Sequence, residues 1–350
     1  MIESGKGNLL KADVEALVNT VNTKGVMGKG LALQFKRAFP EAFREYDRAC
    51  RAGEVEVGRM HVVERLTSPR YIINFPTKKH WRGRSRLAFI EAGLRDLIRV
   101  VREREIASIA IPPLGCGLGG LQWEDVGPHI RSAFAELPSV QVVLFEPGHK
   151  PKPAEIVDRR KRPRMTSGRA AVIALMHDYV ATGYDYRLSL LEVQKLAYFM
   201  QVAGEPLRLD FGAHYYGPYA DKLWKVLRHI EGHLTRGLGD GENSPETELE
   251  VLPGAVDAAT QFLEAKPDVQ ERLGRVRQLI EGFETPFGME LLATVLWVMR
   301  SESHADADLD AAIRAVQAWS SRKAQTMQSH QIEVAWRRLR EHQWPVAAAS

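Results

Sequence analysis

An α/β layered domain followed by a mostly α-helical second domain is the architecture this sequence predicts. Three features carry the prediction. Over residues 1–150 short β-rich runs alternate with helical patterns. Residues 151–168 lose apolar periodicity and are rich in proline and basic side chains, as a linker is. From residue 169 the strand signals largely stop. The 350 residues suffice for two cores, and 45% hydrophobic with 26% charged residues is the balance of a globular protein.

Strands are expected at Ala16–Val21, Met60–Glu64, Tyr71–Phe75, Ser108–Pro112 and Val140–Phe145. Helices are expected at Gly30–Phe39, Pro40–Ala52, Ser85–Arg104 and Trp123–Glu136. Pro40 suits a first helical turn. In RLAFIEAGLRDLIRVVRERE, residues 86–105, apolar side chains recur at three and four, which gives one buried face. Beyond the linker, helices are expected at Arg169–Ala181, Leu190–Ala203, Tyr219–Gly232, Ala255–Glu264, Asp268–Gly282, Pro286–Arg300, Asp308–Ser320 and His330–Glu341. A polar interruption covers residues 235–253.

The bulk numbers exclude several classes. No apolar run approaches the ~18 residues of a membrane span, and the N-terminal stretch lacks a signal-peptide pattern. Two cysteines, Cys50 and Cys116, are too few for a disulfide framework or a cysteine zinc site, so a cytoplasmic location is expected. His229 and His233 lie one helical turn apart, but no third ligand is evident, and no metal is expected. The formal charge of +4 permits contact with nucleic acid without arguing for it. The basic cluster Arg159, Arg160, Lys161, Arg162 and Arg164 suits phosphates or simply a solvated linker.

The chemistry concentrates in two glycine-rich loops. The first lies in VNTVNTKGVMGKGLALQF, residues 18–35, and the second in IPPLGCGLGGLQWEDV, residues 111–126. Each sits between a strand and a helix, where glycine lets backbone N–H groups approach an anion and a helix N-terminus adds its dipole. Two cradles suggest a ligand with two phosphates. Neither matches GxxxxGK[ST] or a clean GxGxxG, which counts against an ATPase or a dinucleotide oxidoreductase. Asn19 and Asn22 suit either ligand hydroxyls or turn chemistry. Between the loops TKKHW, Thr77 to Trp81, follows a strand. Lys78 and Lys79 there are either a nucleophile with a cationic helper or a pair that neutralises phosphate.

The two loops together resemble the macrodomain family over roughly residues 1–146. That resemblance implies a three-layer α/β/α module that binds ADP-ribose without a cofactor. Carried over, Asn22, Gly28, Lys29 and Gly30 would face the distal ribose, with Thr77 nearby. Gly115, Cys116, Gly117, Leu118 and Gly119 would line the diphosphate. Asn8 stands after Gly7 where the family often has an adenine-reading Asp, so that contact is altered. Phe145 is expected either to stack on adenine or to sit in the core. NFPTKKHWRGRSRL is similar to the lysine-dependent branch, which makes Lys78 the expected nucleophile on C1″, with Lys79 as a weaker alternative. That branch carries an Asp where Gly119 stands. The glycine is expected to leave room beside C1″ for a large leaving group such as a nucleobase. Glu124 and Asp125 read as acids at a helix N-terminus.

Residues 189–219, SLLEVQKLAYFMQVAGEPLRLDFGAHYYGPY, resemble helical antitoxin-type domains through Lys195, Tyr198, Phe199, Gln201, Tyr215, Tyr216, Gly217 and Pro218. Tyr198 and Phe199 are expected in the core or as partner anchors. The combination of domains is similar to antitoxins whose toxin ADP-ribosylates thymine in single-stranded DNA. It implies three partners: ADP-ribosylated single-stranded DNA, the ADP-ribose product, and a toxin bound mainly through the second domain. Arg82, Arg84 and Arg86 are expected along the strand backbone. Two other readings stand beside this one: a hydrolase of protein-linked or small-molecule ADP-ribose, and a reader without activity.

Overall fold

A computed structural model describes residues 1–148, 152, 155–181, 187–239, 241 and 244–344. The chain divides into two compact units: Met1–Lys161 with Gly239–Gly241, and Arg162–Leu238 with Glu242–Ser350.

The first unit contains, in order, β1 (Ile2–Ser4), β2 (Ala16–Asn22), α1 (Gly30–Ala38), α2 (Pro40–Arg51), β3 (His61–Glu64), β4 (Tyr71–Lys78), α3 (Leu87–Glu103), β5 (Ser108–Ile111), α4 (Trp123–Phe134) and β6 (Gln141–Leu144). The strands form one sheet in the order β1-β6-β5-β2-β4-β3. All pairs are parallel except β3 with β4. Strand β1 has no apolar pattern in the sequence, because it is three residues at the sheet edge with Ile2 half-exposed and Glu3 and Ser4 exposed.

Alternation along the strands makes the three layers. Ala16, Val18, Tyr71, Ile73, Phe75, Ile109 and Ile111 face one core with Ile90, Leu94 and Leu97 of α3 and Val126, Ile130 and Phe134 of α4. Leu17, Ile72 and Ala110 face the other, with Phe35, Ala38 and Ala42 of the first two helices. The α3 pattern is broken at Gly93 for a packing reason. A Cβ there would lie 2.3 Å from Cζ of the buried Phe75 ring.

Strand β4 runs past Pro76, where the sequence reading stopped it. Pro76 has no N–H to donate, and beside it the β2–β4 register shifts, so that Val21 pairs with Pro76 and Asn22 with Lys78.

The segment expected as a free linker is partly built into the first unit. Val157 packs on the core, the Arg159 N–H donates to the Arg37 carbonyl at 2.9 Å, and Arg160 pairs with Asp158. Pro151, Pro153 and Ala154 lie outside the described residues.

The second unit contains α5 (Ser167–Ala181), α6 (Leu190–Val202), β7 (Gly212–His214), β8 (Gly217–Tyr219), α7 (Asp221–Ile230), β9 (Thr235–Arg236), β10 (Glu250–Val251), α8 (Pro253–Glu264), α9 (Pro267–Ile280), α10 (Pro286–Ser301), α11 (Leu309–Ala318), α12 (Ser321–Thr326) and α13 (Ser329–Glu341). Helices α6 and α10 are buried almost all round, as central helices are. Ser189 and Glu192 form a capping box at the start of α6. Tyr198 and Phe199 are core residues at 4% and 0% exposure, which removes them as partner anchors. Lys195 donates to the Pro218 carbonyl at 2.8 Å, and Gln194 bonds Ala220 in both directions, so α6 clamps the β7–β8 hairpin. Glu290 of α10 accepts from Arg322 and Lys323 at 2.6 Å each. No helix among the described residues is long and apolar enough to cross a membrane.

Two outcomes follow from this packing. Gly93→Ala gains about 1 kcal/mol of helix propensity but drives a methyl into the Phe75 ring, which costs about 1–3 kcal/mol. The net result is a lower Tm, and a higher one in a thermal melt would contradict the packing. Burial pushes the Lys195 amine down to about 7 from 10.5, against the attraction of Glu290. Between those two values the unfolded chain binds the extra proton, so stability rises with pH. Denaturant titrations at pH 7 and pH 9 are expected to show a gain on the order of 1–2 kcal/mol that Lys195→Met lacks.

Candidate functional site

Strands β5, β2 and β4 are neighbours at the centre of the sheet and run parallel, so their C-terminal ends share one edge. A ligand of an open α/β sheet binds at such an edge. The first glycine loop leaves β2, the second leaves β5, and Lys78 ends β4. The strand register sets Asn22 and Lys78 opposite each other.

Lys78 is half-buried and its Nζ donates to the Leu118 carbonyl at 3.0 Å, which ties it to the second glycine loop. Burial holds its amine below the ordinary lysine value. Lys79 is exposed, and its carbonyl accepts from Thr23 Oγ1 at 2.8 Å. Thr77 is buried, with its hydroxyl donating to the Val21 carbonyl at 3.4 Å.

Asn22 organises the first loop. Its Nδ2 donates to the Val26 carbonyl at 2.6 Å, and its Oδ1 accepts from the Lys24 and Val26 N–H groups at 2.9 and 3.4 Å. Tyr46 of α2 donates to the Asn22 carbonyl. Turn chemistry thus uses most of the Asn22 side chain. Lys29 and Gly30 open α1, and Lys29 is exposed. Asn19 turns away from this edge and donates to Asn74 Oδ1 at 3.0 Å in the interior.

The second loop is a tight coil. Cys116 N–H donates to the Pro113 carbonyl at 3.2 Å, Gly120 N–H to that of Gly117 at 3.0 Å and Leu121 N–H to that of Gly115 at 3.1 Å. Ser85, which the sequence reading passed over, anchors the coil from outside through its N–H to the Gly119 carbonyl at 3.0 Å. A side chain has no room at Gly119. A Cβ there would lie 2.3 Å from the Gly115 carbonyl oxygen and 2.4 Å from Ser85 Oγ. The glycine is demanded by the loop's own closure. Gly117 and Gly28 differ, because a Cβ would meet nothing within 4 Å at the first and only Val26 at 3.8 Å at the second. Among the described residues no contact of such a Cβ requires glycine at those two positions. Leu118 is exposed, and a Cβ on Gly30 would lie 3.9 Å from its Cδ1, so the two loops approach each other there. Burial pushes the Cys116 thiol up to about 11, with Glu124 and Asp125 adding to it, so Cys116 offers backbone and not a thiolate. Those two acids stand in the first turn of α4, as expected.

Two expected contacts are already engaged. Asn8 Oδ1 accepts from the Leu10 N–H at 2.9 Å, and its Nδ2 donates to the Glu155 carbonyl at 3.0 Å. Phe145 is 7% exposed in the core with Leu9 and Phe35, so of its two expected roles the core role is the one realised. Among the described residues no three His, Cys, Asp or Glu side chains gather as a metal site needs. Arg82, Arg84 and Arg86 are exposed on the loop after Lys78.

The Macro domain family matches residues 18–130. A DNA ADP-ribosyl glycohydrolase of Thermus aquaticus is 48% identical over 338 residues, spanning 96% of this chain and 92% of the relative. One from Mycobacterium tuberculosis is 46% identical over 356 residues, spanning 97% and 99%. The solved macrodomain of Mycobacterium tuberculosis DarG is 61% identical and covers 42% of this chain and 99% of its own, with a TM-score of 0.42. With both units spanned at this identity, the chain belongs to the DarG-type macrodomain antitoxins, the DNA ADP-ribosyl glycohydrolase family.

Proposed function

We propose that this chain removes ADP-ribose from thymidine bases of single-stranded DNA with Lys78 as nucleophile, and that its second unit binds the cognate DarT-type ADP-ribosyltransferase. The observation that carries the catalytic half is the Lys78 amine, half-buried at the sheet edge and hydrogen-bonded to the second glycine loop. An amine attacks a carbonyl carbon only when deprotonated, and desolvation favours that form. Donating one N–H to the Leu118 carbonyl leaves the lone pair of the neutral amine free and fixes its direction.

The C1″–O4″ bond of the distal ribose breaks, O4″ takes up a proton, and C1″ is left doubly bonded to the thymine nitrogen as an electrophilic iminium carbon. Nζ of Lys78 bonds to C1″, the bond from C1″ to the thymine nitrogen breaks, and a proton passes to that nitrogen. Water then adds to the resulting imine, releasing ADP-ribose and restoring Lys78. The open positions at Gly117 and Gly28 support a cradle in which backbone N–H groups come close to the diphosphate and ribose. Asn22, Lys29, Gly30, Thr77, Gly115 and Cys116 shape that cradle. An unpaired strand suits the site, because no duplex has to open before the base enters. Family membership over both units supports the toxin-binding half.

Three outcomes are expected. A thymidine-ADP-ribosylated single-stranded oligonucleotide is cleared by the wild type, while Lys78→Ala and Lys78→Arg lose at least a factor of about 10³. Clearance by Lys78→Ala, or of an ADP-ribosylated glutamate peptide alone, would defeat the assignment. The single-turnover rate rises with pH as Lys78 loses its proton and levels off below the ~10.4 of a free lysine; a limb centred on the free value rules out activation by burial. Gly119→Asp lowers both Tm and DNA clearance, because its Cβ has no room. A stable Gly119→Asp with new peptide hydrolase activity would show instead that the glycine selects the leaving group.

A further inference from the structure

The loop after the nucleophile is built differently from the two glycine loops. It reads KHWRGRSR from Lys79 to Arg86. Lys79, His80, Trp81, Arg82, Arg84 and Arg86 are all exposed, Trp81 by 42%. The His80 and Trp81 rings stack with centroids 5.3 Å apart and planes 29° apart, and the Arg82 guanidinium lies 4.3 Å from the Trp81 ring. None of the three belongs to a hydrophobic core.

The loop is held in shape. Arg82 N–H donates to His80 Nδ1 at 3.2 Å, and Gly83 N–H donates to the His80 carbonyl at 2.9 Å. Both ends are tied to the ligand loops, through Thr23 Oγ1 to the Lys79 carbonyl and Ser85 N–H to the Gly119 carbonyl. The column of imidazole, indole and guanidinium therefore stands in a fixed place beside the edge that carries Lys78.

A core-forming role does not explain an indole kept in water among cations. Unpaired nucleobases stack on aromatic rings and on guanidinium planes, and their phosphates seek Lys and Arg. Bases within a duplex are already stacked and offer no free face. We propose that the His80–Trp81–Arg82 column is the stacking platform for a base flanking the ADP-ribosylated one, with Lys79, Arg84 and Arg86 along the adjoining phosphates. The protein then selects its lesion within a strand over the same lesion on an isolated nucleoside. This inference rests on the glycohydrolase reading above.

The test compares the full-length wild type with Trp81→Ala and Trp81→Phe. The two substrates are an ADP-ribosylated thymidine nucleoside and a single-stranded oligonucleotide carrying the same group. The readout is the ratio of kcat/KM for the oligonucleotide to that for the nucleoside, which does not depend on the fraction folded. Trp81→Ala is expected to lower this ratio by roughly ten- to a hundredfold, mainly through the oligonucleotide KM, and Trp81→Phe to restore most of it. An unchanged ratio in Trp81→Ala overturns the platform. A wild type silent on both substrates defeats the glycohydrolase reading instead. In that case anisotropy with the unmodified labelled oligonucleotide decides: weaker binding by Trp81→Ala keeps the platform, and equal binding removes it.

Discussion

The parallel pairing of β2 with β4 is the constraint on which the rest of the first unit depends. It is the longest ladder of the sheet, buried on both faces by the two helical layers. Its register brings the first residue of the glycine loop opposite the lysine. A slip of one residue would turn every side chain of β4 to the other face. Phe75 would then leave the hollow that Gly93 makes for it, and Lys78 would lose the Leu118 carbonyl. The register shift beside Pro76 belongs to the same constraint, since a proline in a central strand is tolerated only where the ladder is interrupted. The site geometry is thus a consequence of core packing, carried to the sheet edge by the strands.

The fold class was legible in the sequence because burial on two faces writes itself into the residues. Alternating apolar positions in β2, β4 and β5, and the three-four spacing in α3, need no tertiary context to be read. The edge strand β1 and the end of β4 were not legible, one because it is short and mostly exposed, the other because Pro76 reads as a stop. In the site, Lys78 and both loops stood out by composition. Ser85, Tyr46 and Asn74 did not, because their work lies in contacts with residues 34, 24 and 55 positions away in the chain. Asn8 and Phe145 show the reverse failure. Their positions in the chain suggested a ligand, and partners within the protein engage them: Leu10 and Glu155 for Asn8, and the core around Leu9 and Phe35 for Phe145.

Glycines make the difference between fold and site most plainly. Sequence alone treats every glycine of a rich loop alike. Placing a Cβ on each separates them. Gly119 closes the second loop against Gly115 and Ser85, so its lack of a side chain is explained before any ligand is considered. At Gly117 and Gly28, among the described residues, an added Cβ would find open space or ordinary contact. A position where the fold is indifferent and the residue is nonetheless the smallest available is where a ligand's approach is the better explanation.

Among the described residues Lys78, Lys195 and Lys323 have amines depressed by burial, and of these Lys78 stands at the sheet edge. Lys195 is sealed in the second unit, 1% exposed, with its nitrogen on the Pro218 carbonyl and Glu290 and Lys323 close enough to act on it. Its low pKa is a cost of holding the hairpin, and no solute reaches it. Lys78 is depressed less completely and remains half-exposed, with a carbonyl partner that leaves the lone pair available. A nucleophile needs both the neutral form and a path to the electrophile. Complete burial supplies the first and denies the second. The sheet edge is the place in this fold where a strand can deliver a lysine from a dry interior to an open rim within one residue, from buried Thr77 to half-buried Lys78. That transition, more than the presence of a lysine pair, is what supports the proposal of Lys78 as the nucleophile.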